Sequence, residues 1–414
     1  MNLLIAALLL LQPTDLEKAG QRLADQITAQ PDAPEKLFHK EFLKDVPGAR
    51  LTALFTQLHG QYGEVTSVEL VADDSPTVGT FHLVLGDRTR IAFTLGIERA
   101  GERLITGLRF DNPRPVRRSI DDAVDELKKL RGKTSLLLAR LGDAPLTVAE
   151  HEAGRPLAVG STFKLYILGA LLSAEGAKDA RTWARPIELR DEHRSLGSGT
   201  LDAWKTGSPL TLHSLATLMI SQSDNTATDH LLAHAGRERV EKIATEMGQS
   251  RNVPFLSTLE AFKLKSSAEL RRDWTEGDEA ARRALLAGPV KAMKRDAIDV
   301  PPGVAHIDQV EWFATAQELC GAMDWLRRKT ADPALAVGRD ILAVNPGLRV
   351  RRSAWTFVGY KGGSEPGVLN LTYLLRSSRD EWFAISASWN DTRPLDTAVL
   401  LDLVQDMVYV LQRR

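Results

Sequence analysis

A single cysteine, Cys320, occurs in 414 residues, so no intrachain disulfide can form and no zinc site can be built on thiolates. Neither sign of charge is in excess: 53 Lys and Arg stand against 54 Asp and Glu, a formal net charge of −1. A nucleic-acid partner therefore has no electrostatic footprint in the composition, and none is expected. Long apolar runs are also missing. The chain starts "MNLLIAALLLL", and a bilayer takes about 20 apolar residues to cross, so no transmembrane span is expected there. The run has instead the length of a signal-peptide core. No Lys or Arg precedes it and no small-x-small site follows, yet export to the periplasm or medium is the expectation, with residues 1–14 as the possible signal segment. Internal repeats and low-complexity tracts are absent, and no glycine loop follows a strand in the manner of a phosphate site. No cofactor is expected. The pair His230 and His234 has zinc-like spacing in "HLLAH" but lacks the glutamate of a His-Glu-x-x-His helix and a third ligand, so no metal is expected either.

What is present describes a globular chain. At 43% hydrophobic and 26% charged residues it can bury a core, and its length favours two domains over one. Residues 15–60 carry apolar positions at helical spacing. From residue 63 to 110 the period shortens toward two, and "EVTSVELVA", "GTFHLVLGD", "RIAFTLGIER" and "ERLITGLRF" read as four strands. The expectation is a small α+β domain over residues 15–112. "DNPRPVRRS" breaks the pattern and marks a boundary. Beyond it, over residues 119–414, strands are expected near both ends ("TSLLLARLG", then "LNLTYLLRS" and "EWFAISASW") with a mainly helical stretch between them. This predicts one sheet assembled from both ends, an inserted helical subdomain, and an α+β class for the whole chain. The charged stretch 264–296 reads as solvated helices.

Three short elements carry chemistry. In "AVGSTFKLYILGALLSAE", Ser161 and Lys164 stand three apart at the start of an apolar segment; on a helix they share one face, hydroxyl beside amine. A serine hydroxyl needs a base, and a buried lysine whose pKa is lowered can serve. Such a spacing also arises by chance. In "MISQSDNTATDHLL", Ser223 could relay a proton to a leaving nitrogen and Asn225 could hold a substrate carbonyl, while Ser-Asp-Asn is equally good N-cap chemistry for the helix that follows. In "GYKGGSEPGV", Lys361 could meet a substrate carboxylate. Gly362 and Gly363 would let a ligand approach the backbone, and the N–H groups of Ser364 and Ser161 could form an oxyanion hole. A tight hairpin is the plainer account of those glycines.

Together and in this order, the three elements resemble those of the penicillin-recognising serine enzymes, the class A β-lactamases in particular. "SGTLDAW" and "SPLTLHSLATLMISQSDNTATDHLL" extend the resemblance. It implies a class A β-lactamase-like serine hydrolase domain over residues 119–414. The substrate would be a small molecule, a β-lactam or a related amide or ester. Ser161 would be the acylated nucleophile, Lys164 its base, Ser223 the proton shuttle and Lys361 the cation. Asn225, Gly363 and Ser364 would bind substrate. Residues 15–112 resemble the small cystatin-like or NTF2-like domain that precedes such hydrolases in clavam-cluster-type proteins. A D-alanyl-D-alanine peptidase or an esterase on the same scaffold, or a non-catalytic binder, are the alternatives. Two departures stand out. Gly362 replaces the usual Thr or Ser, and the glutamate that deacylates in class A enzymes has no patterned equivalent; Glu260 is the only nearby carboxylate, open to a base role or to an ordinary helix-start role. A second Lys-Thr-Gly, at Lys205 to Gly207, lies before Ser223 in a segment expected to be loop with no strand on either side, and is read as coincidence.

Overall fold

The computed structural model describes residues 13–413; the apolar run at residues 3–11 lies outside the described residues. The chain divides into two compact units. One comprises the described residues up to Arg118 with Leu348–Ala354 and the chain end from Val408; the other comprises Ser119–Gly347 and Trp355–Met407.

In the first unit, helices α1 (Asp15–Asp25), α2 (Lys40–Asp45) and α3 (Gly48–Tyr62) precede strands β1 (Val65–Ser75), β2 (Val78–Leu85), β3 (Thr89–Ile97) and β4 (Ile105–Phe110). The four strands form an antiparallel meander in sequence order, and a two-residue β5 (Arg114–Pro115) pairs with β3. Helix α1 starts at a reciprocal cap between Thr14 and Glu17 and buries one stripe, Leu16, Ala19, Gly20, Leu23 and Ala24. That stripe shares a core with Phe55, Leu83, Phe81 and Phe93, the last two rings stacked 5.0 Å apart. The returning segments complete the unit. Arg351 pairs with Glu17 at 3.0 Å, the Arg352 amide donates to Asp73, Tyr409 donates to Glu69, and the Gln412 amide donates to the Val71 carbonyl at 3.3 Å.

The second unit begins with α4 (Ile120–Lys128), β6 (Lys133–Leu141), β7 (Leu146–His151) and the short β8 (Leu157–Ala158). Its helical part contains α5 (Lys164–Leu172), α6 (Ala180–Trp183), the short β9 (Pro186–Glu188) and β10 (Pro209–Thr211), α7 (Leu212–Ser221), α8 (Asn225–Ala235), α9 (Arg237–Glu246), α10 (Thr258–Ser266), α11 (Ala268–Glu276) and α12 (Glu279–Leu285). It closes with β11 (Phe313–Ala314), α13 (Ala316–Lys329), α14 (Val337–Ala343), β12 (Trp355–Glu365), β13 (Val368–Ser377), β14 (Trp382–Asn390) and the part of α15 (Thr397–Gln412) that precedes Val408. The main sheet is antiparallel in the order β12-β13-β14-β6-β7. Strands from both ends of the unit thus make one sheet, and the helical stretch is inserted between them. β7 was not among the expected strands: its residues are exposed or only half-buried, so it lacks a buried stripe.

Two features place the chemistry. Every residue of α5 is buried, which makes it the central helix of the unit rather than an amphipathic surface one. β12 is a sheet edge, so alternate backbone groups along its outer side have no sheet partner. The charged stretch 264–296 is helical and mostly exposed, as expected, with an exception at its start. Lys265 is only 4% exposed and meets Glu311 and Glu365, each at 2.6 Å, while Lys263 is buried on the Val290 carbonyl. Helical spacing shows which residues share a face, but these carboxylates come from 46 and 100 residues away.

Candidate active site

Ser161 lies in a single 3₁₀ turn, Gly160–Phe163, that runs directly into α5. Four ties hold this turn. Asn390, at the end of β14, bonds reciprocally with the Ala158 backbone, its Nδ2 donating at 3.0 Å and its Oδ1 accepting at 2.9 Å. The Val159 amide donates to the Trp312 carbonyl at 3.0 Å. The Phe163 ring stacks on Trp312 at 3.7 Å. Thr162 donates to Asn370 Oδ1 on β13 at 2.8 Å, with both side chains buried. Ser161 itself is half-buried at the head of a buried helix.

Lys164 follows one turn later and is fully buried. Its Nζ donates to the Ser223 carbonyl at 2.6 Å, to Ser223 Oγ at 3.1 Å and to Asn225 Oδ1 at 2.7 Å. A charged amine would fill all three contacts as a donor; a neutral one can donate to the two carbonyl oxygens and keep its lone pair toward the hydroxyl. Burial first, and the positive charge of Lys361 second, push this amine well below the ordinary lysine range. Lys361, on the edge strand and 2% exposed, reaches the same hydroxyl: its Nζ stands 3.1 Å from Ser223 Oγ and also donates to the Gly362 carbonyl. Burial lowers Lys361 to about 7. One hydroxyl therefore bridges two buried amines, and carrying both as cations in so little water is costly. The arrangement favours a neutral Lys164, which has a lone pair to offer.

Ser223 sits at φ 58, in the left-handed region, between α7 and α8. The structure divides the three residues of Ser-Asp-Asn between a helix cap and contacts with Lys164. Asp224 is the N-cap, accepting from the Ala227 amide at 2.8 Å. Its other oxygen accepts from the Thr200 and Leu201 amides at 2.7 and 3.0 Å, which pins the "SGTLDAW" loop. Ser223 and Asn225 are left to turn toward Lys164. Ser198 of that loop donates to the Ser223 carbonyl at 2.6 Å, and the Leu196 carbonyl accepts from Asn225 Nδ2 at 2.7 Å. Ser198, Asn370 and Asn390 are positioning residues that the sequence reading missed, and Asp224 is one that it read only as a cap. The "SGTLDAW" match was the only signal for the first, and none existed for the two asparagines.

The glycines after Lys361 have a steric reason. A Cβ at Gly363 would overlap the Val159 carbonyl oxygen and lie 2.5 Å from the Ser161 nitrogen, so only glycine lets β12 close on that turn. Ser364, exposed, follows it. Ser161, Lys164, Ser223, Asn225, Lys361, Gly363 and Ser364 are thus drawn onto one turn, one loop and one edge strand.

Other candidates fall elsewhere. Glu260 pairs with Arg237 at 2.7 and 3.0 Å and closes a capping box with Ser257, so its carboxylate is spent at the start of α10. His230 uses both ring nitrogens, one on the Thr226 carbonyl at 2.7 Å and one accepting from the Arg190 amide at 2.8 Å. Among the described residues no group of His, Cys, Asp and Glu is arranged to hold a metal ion, and no helix is long and apolar enough to cross a membrane. Lys205 is exposed, and Thr206 is held by Asp191 at 2.6 Å. Contrary to expectation a strand, β10, does follow this triplet closely, but it pairs only with β9 and belongs to no sheet that reaches Ser161.

Residues 115–284, which include Ser161, Lys164, Ser223 and Asn225, match the β-lactamase enzyme family. A β-lactamase from Sphaerobacter thermophilus is similar in structure, with 19% identity over 71% of this chain and 96% of its own, at a TM-score of 0.50. The second unit is β-lactamase-like. A class A β-lactamase from Mycobacterium abscessus aligns at 15% identity over 71% of this chain and 97% of its own, with a TM-score of 0.47. No curated protein is similar enough to match. The family match ends before β12, so in this β-lactamase-like unit Lys361 is located by the sheet rather than by the matched segment.

Proposed function

We propose that the chain is a class A-type serine hydrolase that opens a β-lactam, or a related small amide or ester, through an acyl-enzyme on Ser161. The observation that carries this reading is the shared hydroxyl: Ser223 Oγ stands 3.1 Å from both Lys164 Nζ and Lys361 Nζ. Neutral Lys164 takes the Ser161 proton as Oγ bonds to the substrate carbonyl carbon. The oxygen that becomes negative lies at the head of α5, toward the Ser161 and Ser364 amides. As the carbon–nitrogen bond breaks, Ser223 Oγ gives its proton to the leaving nitrogen and is reprotonated from a neighbouring lysine. Water then cleaves the ester and returns a proton to Ser161. Lys361, while charged, attracts a substrate carboxylate.

A second reading, a penicillin-binding peptidase or esterase with a long-lived acyl-enzyme, is favoured by one observation: Glu260 is held by Arg237 and Ser257. Intact-mass measurement after mixing with a penicillin separates the two. An adduct that appears and clears while penicillin is consumed fits the first, a lasting adduct fits the second, and Ser161→Ala must abolish either. No adduct and no hydrolysis of any activated ester would overturn both. The helices and meander of the first unit support the cystatin-like or NTF2-like proposal for residues 15–112. Export is a further proposal, tested by the N-terminal residue of protein recovered from the native host.

A further inference from the structure

Gly362 has no side chain, yet its place is filled. A Cβ built there would overlap the Tyr360 hydroxyl oxygen and lie 2.7 Å from Tyr360 Cζ. Residues i and i+2 of a strand share a face about 6.6–6.8 Å apart, close to the reach of a tyrosine, so the phenol of residue 360 ends where a side chain of residue 362 would begin. The ring is held there. It stacks on Tyr373, its cross-strand partner, at 4.6 Å and 21°, and its other flank lies against Gly347, where a Cβ would come within 2.7 Å of Cδ1 and Cε1. Glycines at 347 and 362 thus leave room for one tyrosine, which remains half-buried rather than enclosed. Tyr360 and Lys361 are successive residues and point to opposite faces of an edge strand. A ligand lying along that edge at the level of residue 362 has the ammonium on one side and the phenol on the other.

We propose that Tyr360 is a specificity-determining residue, its hydroxyl donating to the carboxylate of the substrate in place of the Ser or Thr hydroxyl that Gly362 lacks; this rests on the acyl-enzyme reading above. Burial pushes the Tyr360 phenol up to about 12, so it stays a donor at neutral pH. The alternative use of the same geometry is a block, in which the ring excludes the carboxylate and selects neutral esters.

The test compares acylation of the full chain by benzylpenicillin, which carries a carboxylate, and by p-nitrophenyl acetate, which does not. Tyr360→Phe keeps the ring and its stack. It is expected to lower the second-order rate with the penicillin about tenfold or more, through KM, and to leave the ester rate within about twofold. The double variant Tyr360→Gly, Gly362→Thr moves the hydroxyl back to residue 362 and is expected to recover penicillin acylation relative to Tyr360→Gly alone. Equal losses on both compounds, no loss on either, or a gain with the penicillin would overturn the proposal while leaving the acyl-enzyme intact. Failure of the parent chain to react with either compound would overturn the acyl-enzyme reading and this inference with it.

Discussion

In the proposed mechanism the two lysines that share Ser223 have different duties, and substitution of each tests them separately. Lys164→Met removes the base from a site that has no exposure. Acylation is expected to fall roughly 10²–10⁴-fold in intact-mass kinetics, the usual range for a lost acid–base group, and the acceptors left without a donor at Ser223 and Asn225 should cost about 1–3 kcal/mol in denaturant titration. Lys361 at about 7 sets a limb on the alkaline side: as it loses charge, acylation by a carboxylate-bearing substrate declines above neutrality, and Lys361→Arg should carry that limb to higher pH. Its effect on folding has the opposite sense. Its pKa is lower in the folded chain than the 10.5 of the unfolded one, so between about 7 and 10.5 the unfolded state holds the extra proton and stability rises with pH. That contribution is lost as pH falls through about 7, and Lys361→Met should flatten the slope in urea melts at pH 7 and 9.5. Glu260→Gln should cost about 1 kcal/mol through its partly exposed pair with Arg237 and leave the rate of adduct loss unchanged. A slowed adduct loss would instead make Glu260 the deacylating base.

At the scale of elements, the turn bearing Ser161 depends on how closely β12 can approach. Gly363→Ala should cost about 1–3 kcal/mol by overpacking and suppress acylation more than Ser364→Ala does, since only the former puts atoms against Val159 and Ser161. Denaturation and intact-mass assays on the two variants check this. The same elements explain what the sequence could and could not tell. Ser161 to Lys164 and Ser223 to Asn225 are legible because each spans a single turn. The right lysine was legible only through strand context: Lys361 lies within an eleven-residue strand, Lys205 beside a three-residue one. The supports were not legible. Thr162 meets Asn370 across 208 residues and Asn390 meets Ala158 across 232, and no local pattern records such pairings. Lys265 was misread as solvated for the same reason. Asp224 was half legible, as a cap; its grip on Thr200 and Leu201 appears only when the loop is folded.

At the scale of the molecule, the first unit is not a continuous stretch of sequence, since Leu348–Ala354 and the chain end from Val408 belong to it. A chain ended at Met407 would lose the Tyr409 and Gln412 bonds to β1. Faster amide exchange is expected over Val65–Ser75 than in the full chain, and unchanged exchange there would show those bonds to be idle. Discontinuity also governs the site. β12 joins the sheet only through β13, which pairs with β14, which pairs with β6. Lys361 therefore cannot be set in place until the chain has reached Asn390, 229 residues after Ser161 (390 − 161). At about 5–20 residues per second of synthesis, that interval lasts on the order of ten seconds or more. Throughout it Ser161 and Lys164 exist on the growing chain without Lys361 in place and without the edge strand beside them, so the site comes together only after β14 has been made.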